Sequence, residues 1–280
     1  MRPLLESLRM AWAVPRGRAG LMFLGFLALL ALMGPLLLPE PFRQFDLIDL
    51  ASSPPSAEHP FGTDQLSRDV LSRVVSGARV SLAVAALAVA LSLTVGAAVG
   101  LIAGYWGGAV DAVLMRVVDA ALAVPRLFLL LIVLAVPERV PLAALILLIG
   151  TTGWFTTSRL VRAETIRLRH ETFVRAAEAL GASRRRIIFR HLLVNTAGPL
   201  LVAATLGVGD VILLEAGLSF LGLGVQPPTP SWGGMILDAR QVLEAAPWVG
   251  IFPGVAITLT VLATNLVGDA LRDALDPRGA

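Results

Sequence analysis

The sequence predicts an all-α protein that crosses a membrane about six times. Of its 280 residues, 56% are hydrophobic and only 15% are charged, and the mean hydropathy is +0.79. Soluble domains average about 45–50% apolar and about 25% charged residues, so this chain has too few charges to cover a water-exposed surface. It contains no cysteine and no lysine, which excludes disulfides, thiolate metal sites and lysine-based catalysis.

Six apolar runs approach the length of about 20 residues that a helix needs to cross the hydrocarbon core. They cover residues 21–38, 80–103, 117–136, 141–157, 198–218 and 249–268. The first run lacks a small-residue cleavage site, so we expect a retained helix rather than a signal peptide. The second is rich in alanine, valine and glycine, which favours close helix packing. An arginine at mid-bilayer costs about 2.5–3.5 kcal/mol, so we expect Arg126 near an interface or inside the bundle.

The arginine distribution predicts the orientation. With six spans both termini share one side, which carries sixteen arginines, nine of them in the loop 158–195, against six on the other side. The positive-inside rule places that side in the cytoplasm, and this topology explains the pI near 10.7 without nucleic acid. The predicted divisions are a cytoplasmic tail (1–19), a first transmembrane helix (20–38), an outer segment with an interfacial helix (39–79), a transmembrane core (80–268) and a cytoplasmic tail (269–280).

The outer segment ends in turn residues that are followed by a helical pattern. Asp64 or Ser67 is the candidate N-cap, and Asp69 and Arg73 have the i, i+4 spacing of an ion pair. Two interpretations stay open, namely an interfacial helix that leads into the second span and a part of an outer gate. One histidine, His59, beside scattered carboxylates is a weak metal-site pattern, and we predict no metal site.

The sequence of the loop 158–195 predicts a helix, a glycine turn and a second helix. Gly181 stands where a left-handed residue ends a helix, and Ser183 is placed to cap the next one. Four side chains of the first helix form what we call the apolar face: Phe173, Ala176, Ala177 and Leu180. Five residues of the second helix line up at i, i+4 and i+8: Ile187, Ile188, His191, Leu192 and Asn195.

An apolar face in a cytoplasmic loop favours a protein partner. Two alternatives stay open: packing against the membrane base of the same chain, and binding of the arginines to anionic lipid headgroups. Two acids, Asp210 and Glu215, lie inside the fifth span, where carboxylates are functional candidates because they are costly in lipid. Their spacing separates them by about 140° around a helix, and a structural hydrogen bond is an open alternative for both.

Motifs at the start, middle and end of the chain resemble one family of proteins, the permeases of binding-protein-dependent ABC importers. The match is to the C-type subunit of the dipeptide, oligopeptide and nickel group. The matching segments are 59–73, 76–82, 173–183, 187–195, 215–233 and 268–278. The loop 158–195 resembles the family's coupling loop, and we call it the coupling loop. In it, Arg175 stands where the family has the glutamate that names its motif, and Glu178 follows one turn later. Val194 replaces the usual proline.

The resemblance implies the type I ABC importer permease fold and ATP-driven import of di- or oligopeptides across a bacterial or archaeal cytoplasmic membrane. Nickel or another small solute remains an alternative cargo, and a secondary transporter is a less favoured alternative because no internal repeat is evident. The implied partners are a second homologous permease, two ATP-binding subunits and an extracytoplasmic substrate-binding protein. The implied ATPase-coupling residues are Phe173, Val174, Arg175, Ala176, Ala177, Glu178, Leu180, Gly181, Ala182 and Ser183.

The chain itself is not expected to be an enzyme or to bind a cofactor. It lacks the G-x-x-x-x-G-K-[ST] phosphate-binding sequence, so ATP and Mg²⁺ are expected on the partner ATPases. The candidates for the pathway or its gate are Asp210, Glu215, Arg126, Gln226 and Trp232. Among these, we expect Glu215 to hold the outer loop, which joins the fifth and sixth spans. We expect Asp210 to face the pathway or to pair with an arginine of the partner.

Overall fold

Apolar helices make up most of the chain in the computed structural model, which describes residues 9, 11–47 and 50–275. Parts of the predicted terminal tails, including Arg2 and Arg278, lie outside the described residues, as does the end of the motif 268–278. The helices are α1 (Pro15–Leu37), α2 (Val70–Trp106), α3 (Gly108–Leu122), α4 (Arg126–Leu134), α5 (Leu142–Arg169), α6 (Thr172–Ala179), α7 (Arg184–Arg186), a π-helix (Ile187–Leu192), α8 (Leu193–Asn195), α9 (Ala197–Phe220), α10 (Trp232–Ala239) and α11 (Trp248–Leu275).

Within the described residues, five helices are long and apolar enough to cross a membrane: α1, α2, α5, α9 and α11. Helices α3 and α4 pass the same test only together, as a pair bent by 75°. With this pair counted as one span the total is six, which confirms the predicted all-α, multi-pass fold. The predicted third span is thus two helices that meet at an angle, because Pro125 lacks an N–H group and disfavours helix at Val124.

Helices α2 and α5 form the central pair, and glycine makes their contact possible. Gly96, Gly100 and Gly104 lie one turn apart on α2 and face α5. A Cβ atom at Gly100 would lie 2.6 Å from the backbone oxygen of Ser158. Such small-residue stripes let two backbones approach closely where lipid gives no hydrophobic drive for association. The packing role predicted from the composition of the second span is confirmed.

Helix α2 begins ten residues before the apolar run that predicted it. Its N-cap is Asp69, whose carboxylate accepts a hydrogen bond of 2.7 Å from the backbone nitrogen of Ser72. The predicted caps, Asp64 and Ser67, are therefore wrong, and residues 70–79 are the first turns of α2 rather than a separate interfacial helix. Helix α5 likewise continues to Arg169, because residues such as leucine, arginine and glutamate favour helix and nothing interrupts them.

A short helix, α10, lies between the fifth and sixth predicted spans, where the sequence predicts a loop. Helix α10 packs against α9 and α11, and the Ser231 hydroxyl caps it by accepting from the backbone nitrogen of Gly234 at 3.1 Å. The outer segment is tied to α11 as well. The rings of Phe61 and Phe252 stack at 3.8 Å between centroids, and Trp248 Nε1 donates to the backbone oxygen of Thr63 at 3.0 Å.

Candidate functional site

The glycine turn of the coupling loop has the predicted geometry. Gly181 has a φ of +77°, a conformation that side chains other than glycine adopt at a cost. Its backbone nitrogen donates to the oxygen of Glu178 at 2.9 Å, and that of Ala182 donates to the oxygen of Ala177 at 3.0 Å. This pair of bonds is a Schellman motif, which ends α6 and reverses the chain. The prediction of a left-handed residue at Gly181 is confirmed.

The apolar face of α6 is mostly uncovered. Leu180 is 88% exposed and Phe173 is 40% exposed, Ala176 is exposed and Ala177 is half-buried. Val174, which we grouped with the coupling residues, points the other way and is fully buried. Helix α6 therefore uses Val174 to attach to the protein and presents its apolar face outward. Of the predicted alternatives, packing on the membrane base is observed only for the opposite side of the helix.

The second half of the coupling loop departs from the predicted regular helix. The Ser183 hydroxyl accepts from the backbone nitrogen of Arg186 at 3.4 Å, as predicted for a cap. The six residues after Arg186, Ile187–Leu192, are a π-helix, in which the backbone hydrogen bonds join residues i and i+5. The i, i+4 alignment predicted over 187–195 is thus wrong in register, although Ile187, Ile188 and Leu192 are buried.

The coupling loop is fixed to the membrane helices by an apolar cluster. Val174 packs there with the buried residues of the π-helix, with Leu101 and Tyr105 of α2, and with Val161 and Leu168 of α5. Buried apolar side chains of this size contribute about 1.5–3 kcal/mol each. A displacement of α6 is therefore expected to move the adjoining ends of α2 and α5 with it.

The charged residues of α6 make few contacts. The Arg175 guanidinium lies 3.5 Å from Nδ1 of His170, and both Arg175 and Glu178 are exposed. Arg175 and Glu178 form no salt bridge with each other. Their exchanged charges therefore leave the fold of α6 unaffected and are available to a partner.

Arg126 and Asp210 lie at the same cavity within the membrane-spanning part of the protein. Arg126, at the start of α4, donates to the backbone oxygen of Ile149 at 2.5 Å and to the Thr152 hydroxyl at 3.1 Å. Asp210 of α9 is exposed toward this cavity. The sequence analysis left open a pairing of Asp210 with a partner's arginine. The structure places it at the same cavity as Arg126 of this chain, and the pairing with a partner's arginine stays a prediction.

Glu215 has a very different environment from Asp210. Its side chain is fully buried, and it accepts hydrogen bonds from the hydroxyl of Ser219 at 2.7 Å and from that of Ser81 at 3.3 Å. The Ser81 oxygen in turn accepts from the backbone nitrogen of Trp232 at 3.3 Å. Glu215 thus connects α9, α2 and the start of α10. These hydrogen bonds agree with both predictions for Glu215, that it holds the outer loop and that it forms a structural hydrogen bond.

Trp232 and Gln226 shape the outer loop from within. The Trp232 ring is fully buried, and its Nε1 donates to the backbone oxygen of Val74 at 2.9 Å. The Gln226 amide donates to the backbone oxygen of Gly222 at 3.2 Å. Trp232 therefore holds the loop in place rather than presenting its ring at the outer surface. Pro227 and Pro228, by contrast, are exposed.

The sequence did not predict a buried ionic cluster that joins the outer segment and the start of α2 to α10. The Asp64 carboxylate is fully buried and pairs with Arg68 at 2.7 Å and with Arg73 at 2.5 Å. Arg73 also pairs with Asp238 of α10 at 2.9 Å. The predicted pair of Asp69 and Arg73 is wrong, because Asp69 caps α2 and lies 2.8 Å from Nδ1 of His59. The spacing within 59–73 was the available signal, but Asp238 lies too far along the chain to be paired by local pattern.

Metal binding finds no support in this region. His59 and Asp69 hydrogen-bond each other, and Asp64 is occupied by arginines. In the part of the chain that the structure describes, no group of three or more His, Asp or Glu residues is arranged to hold a metal ion.

Replacing Arg73 with methionine is expected to loosen the outer segment. The change removes one partner of a buried carboxylate, which costs about 3–5 kcal/mol when the charge is left unpaired. Since Arg68 remains beside Asp64, we expect a loss of about 3 kcal/mol, the low end of that range. Limited proteolysis should then cut residues 39–69 much faster than in the unaltered protein. Arg79→Met is the matched control, because Arg79 is exposed; equal cleavage of the two variants would contradict the role of the cluster.

Known proteins resemble this chain over most of its length. Residues 96–279 match the family described as binding-protein-dependent transport system inner membrane component. The chain is 44% identical to a dipeptide transport system permease protein of Alkalihalophilus pseudofirmus, over 92% of this chain and 84% of that protein. It is 38% identical to an oligopeptide transport system permease protein of Bacillus subtilis, with coverages of 92% and 84%. It is 39% identical to a glutathione transport system permease protein of Pectobacterium atrosepticum, with coverages of 93% and 86%.

A bundle of apolar spans with a helical hairpin at one end, matched along its length by permeases, defines a multi-pass membrane permease. The chain belongs to the family of binding-protein-dependent transport system inner membrane components. It is therefore an inner-membrane, non-catalytic permease subunit of an ABC transporter, as the resemblance implied.

Proposed function

We propose that this chain is the permease subunit of an ATP-driven importer of di- or oligopeptides, and that α6 couples it to separate ATPase subunits. The observation that carries the coupling assignment is the uncovered apolar face of α6, on which Leu180 is 88% exposed. An apolar face of this kind in water fits the groove of a protein partner. The peptide cargo is supported by relatives whose names specify dipeptide, oligopeptide and glutathione transport.

A second homologous permease is the proposed partner within the membrane. An apolar groove of about 640 Å³ lies between α2, the π-helix and α9, and its lining includes Leu93, Leu101, Phe189 and Leu201. Phe189 and Val194 at this groove are 59% and 49% exposed. A partner helix would cover these side chains. The remaining proposed partners are two ATP-binding subunits and an extracytoplasmic substrate-binding protein, with ATP and Mg²⁺ bound by the ATPases and no cofactor bound by this chain.

The proposed mechanism is mechanical. ATP-driven closure of the ATPase pair would pull α6, and Val174 would transmit that movement to the ends of α2 and α5 through the apolar cluster. Two ion pairs extend the connection from α5 to α3: Arg162 with Asp111, and Arg159 with Asp119. Movement of α5 would therefore also reach the bent α3–α4 pair, which contributes Arg126 to the intramembrane cavity.

The proposed orientation puts both termini and the coupling loop in the cytoplasm. Arg184, Arg185, Arg186 and Arg190 are exposed on this loop. No salt bridge to any of the four is found in the described residues. Unpaired arginines of this kind are typical of the cytoplasmic side and can also contact anionic headgroups.

Crosslinking from the apolar face tests the coupling assignment. Because the chain contains no cysteine, a Leu180→Cys variant can carry a single photo-reactive label on this chain, in a transporter assembled with cysteine-free partner subunits. We expect it to form crosslinks to a nucleotide-hydrolysing subunit. Leu36→Cys is the control, since Leu36 is 77% exposed on the membrane helix α1 and should give no such product. Crosslinks from Leu180→Cys that stay within this chain would overturn the assignment.

A further inference from the structure

Two opposite charges line one cavity inside the membrane-spanning bundle without forming a salt bridge. The cavity has a volume of about 330 Å³ and lies between α2, α4, α5 and α9. Arg126 and Asp210 contribute the charges, and Ser92, Thr156 and Thr157 contribute hydroxyl groups to the lining. The Asp210 carboxylate is close enough to act electrostatically on Arg126, yet these two described residues are more than a salt-bridge distance apart.

Hydrogen bonds hold the Arg126 side chain in place without using all of its N–H donors. Its Nη2 donates to the backbone oxygen of Ile149 and its Nε donates to Thr152. A guanidinium has five N–H donors, and these bonds use two of them. Among the described residues Nη1 has no hydrogen-bond partner. The two existing bonds therefore fix the direction of the side chain while leaving donors free at the cavity.

Asp210 is free to accept hydrogen bonds. It accepts none from the described residues, although it lies in a membrane-spanning helix where a carboxylate is costly. Glu215, about one and a half turns further along the same helix, shows the contrasting case, since each of its carboxylate oxygens accepts a hydrogen bond from a serine hydroxyl and the side chain is buried. The structure of the bundle therefore accounts for Glu215 but leaves Asp210 available for a ligand.

We propose that Arg126 and Asp210 form a transient binding site for a zwitterion along the translocation pathway. The carboxylate of the ligand would pair with Arg126, and its ammonium group would pair with Asp210. This inference rests on the proposed function, because a free peptide carries both charges at the ends of its main chain. A volume of 330 Å³ is at the lower end of small-molecule sites, which span about 300–1,000 Å³, so the cavity fits a dipeptide, whose two charged ends can reach both residues at once.

A weak site of this kind suits transport, because a permeating ligand must enter and also leave. The hydroxyls of Ser92 and Thr156 can meet peptide N–H and C=O groups of any sequence. The two charges match the two ends of a dipeptide main chain, so the site would favour free termini and would tolerate different uncharged side chains. Selection among peptides would stay with the binding protein.

Labelling of a cysteine in the cavity tests the site directly. A Thr156→Cys variant of the assembled transporter in nanodiscs is reacted with a small cationic methanethiosulfonate reagent. We expect alanyl-alanine to slow the labelling and N-acetyl-alanyl-alaninamide, of similar size but without charges, to leave it unchanged.

Adding Asp210→Asn should raise the dipeptide concentration for half-protection about tenfold or more, the effect of losing one hydrogen bond to a charged group. Adding Glu138→Gln instead, an exposed acid outside the cavity, should not.

Three results would overturn the proposal: no labelling of the cysteine in any state, equal protection by both compounds, or protection that Asp210→Asn leaves unchanged. If Asp210→Asn leaves protection unchanged but raises ATP hydrolysis without binding protein, the pair is a gate and not a binding site. Uptake of alanyl-alanine by the transporter with its binding protein is measured separately. Uptake without protection refutes only the site, whereas protection without uptake refutes only the proposed import of peptides.

Discussion

Replacing Leu180 with aspartate is expected to reduce uptake to background while the protein still inserts and folds. Leu180 is 88% exposed, so the folded chain loses almost no packing when the side chain is changed. In the docked state the same position would bury an unpaired carboxylate against a partner. Disruption of such an interface anchor costs about 2 kcal/mol or more, which corresponds to about 30-fold weaker docking.

The neighbouring residue supplies the control for this experiment. Ala179 is also exposed but points about 100° away around the helix, so Ala179→Asp adds the same charge outside the apolar face. We expect near-normal uptake and normal ATPase copurification for Ala179→Asp, and loss of both for Leu180→Asp. Normal transport by Leu180→Asp would mean that α6 is not the coupling element.

Replacing Gly100 with leucine is expected to push the central helix pair apart and to destabilise the fold. Even a single Cβ atom there would lie 2.6 Å from the backbone oxygen of Ser158 and 2.9 Å from the backbone nitrogen of Arg162. A backbone cannot yield as a flexible side chain can, so α2 and α5 must separate. Overpacking costs about 1–3 kcal/mol, and we expect the upper end here, seen as a lower melting temperature in detergent and a loss of uptake.

Gly25→Leu is the matched control for the glycine contact. Gly25 lies in the membrane helix α1, and a Cβ atom placed there meets no atom of this chain within 4 Å. We expect this variant to melt close to the unaltered protein. If Gly100→Leu and Gly25→Leu melted at the same temperature, the stripe of Gly96, Gly100 and Gly104 would not set the distance between α2 and α5.

Local patterns predicted some features of the candidate site well. The left-handed Gly181 and the Ser183 cap depend on residues within a few positions of each other, so their spacing is enough to specify them. The π-helix at 187–192 could not be found in this way. Its backbone follows from the need to bury Ile187, Ile188 and Leu192 against α2 and α5, which the local sequence does not encode.

The charged residues also show where local spacing predicts a contact and where tertiary packing decides it. Asp69 and Arg73 have the spacing of a helix pair, but Asp69 pairs with His59, and Arg73 pairs with Asp64 and Asp238. A buried carboxylate or guanidinium pairs with whatever the fold places nearest, and the stabilisation from one helix turn is only about 0.2–0.5 kcal/mol. Local spacing therefore gives way to tertiary contacts wherever the charges are buried.

The sequence by itself determined that the chain is helical, that it crosses a membrane about six times and that it resembles ABC importer permeases. It could do so because hydropathy and contiguous motifs can be identified directly in the order of the residues. Only the tertiary structure decided which side chains meet. It brought Arg126 beside Asp210, enclosed Glu215 among serines, and turned Val174 inward while leaving Leu180 exposed. The physical reason is that these contacts depend on the distances and angles between helices far apart in sequence.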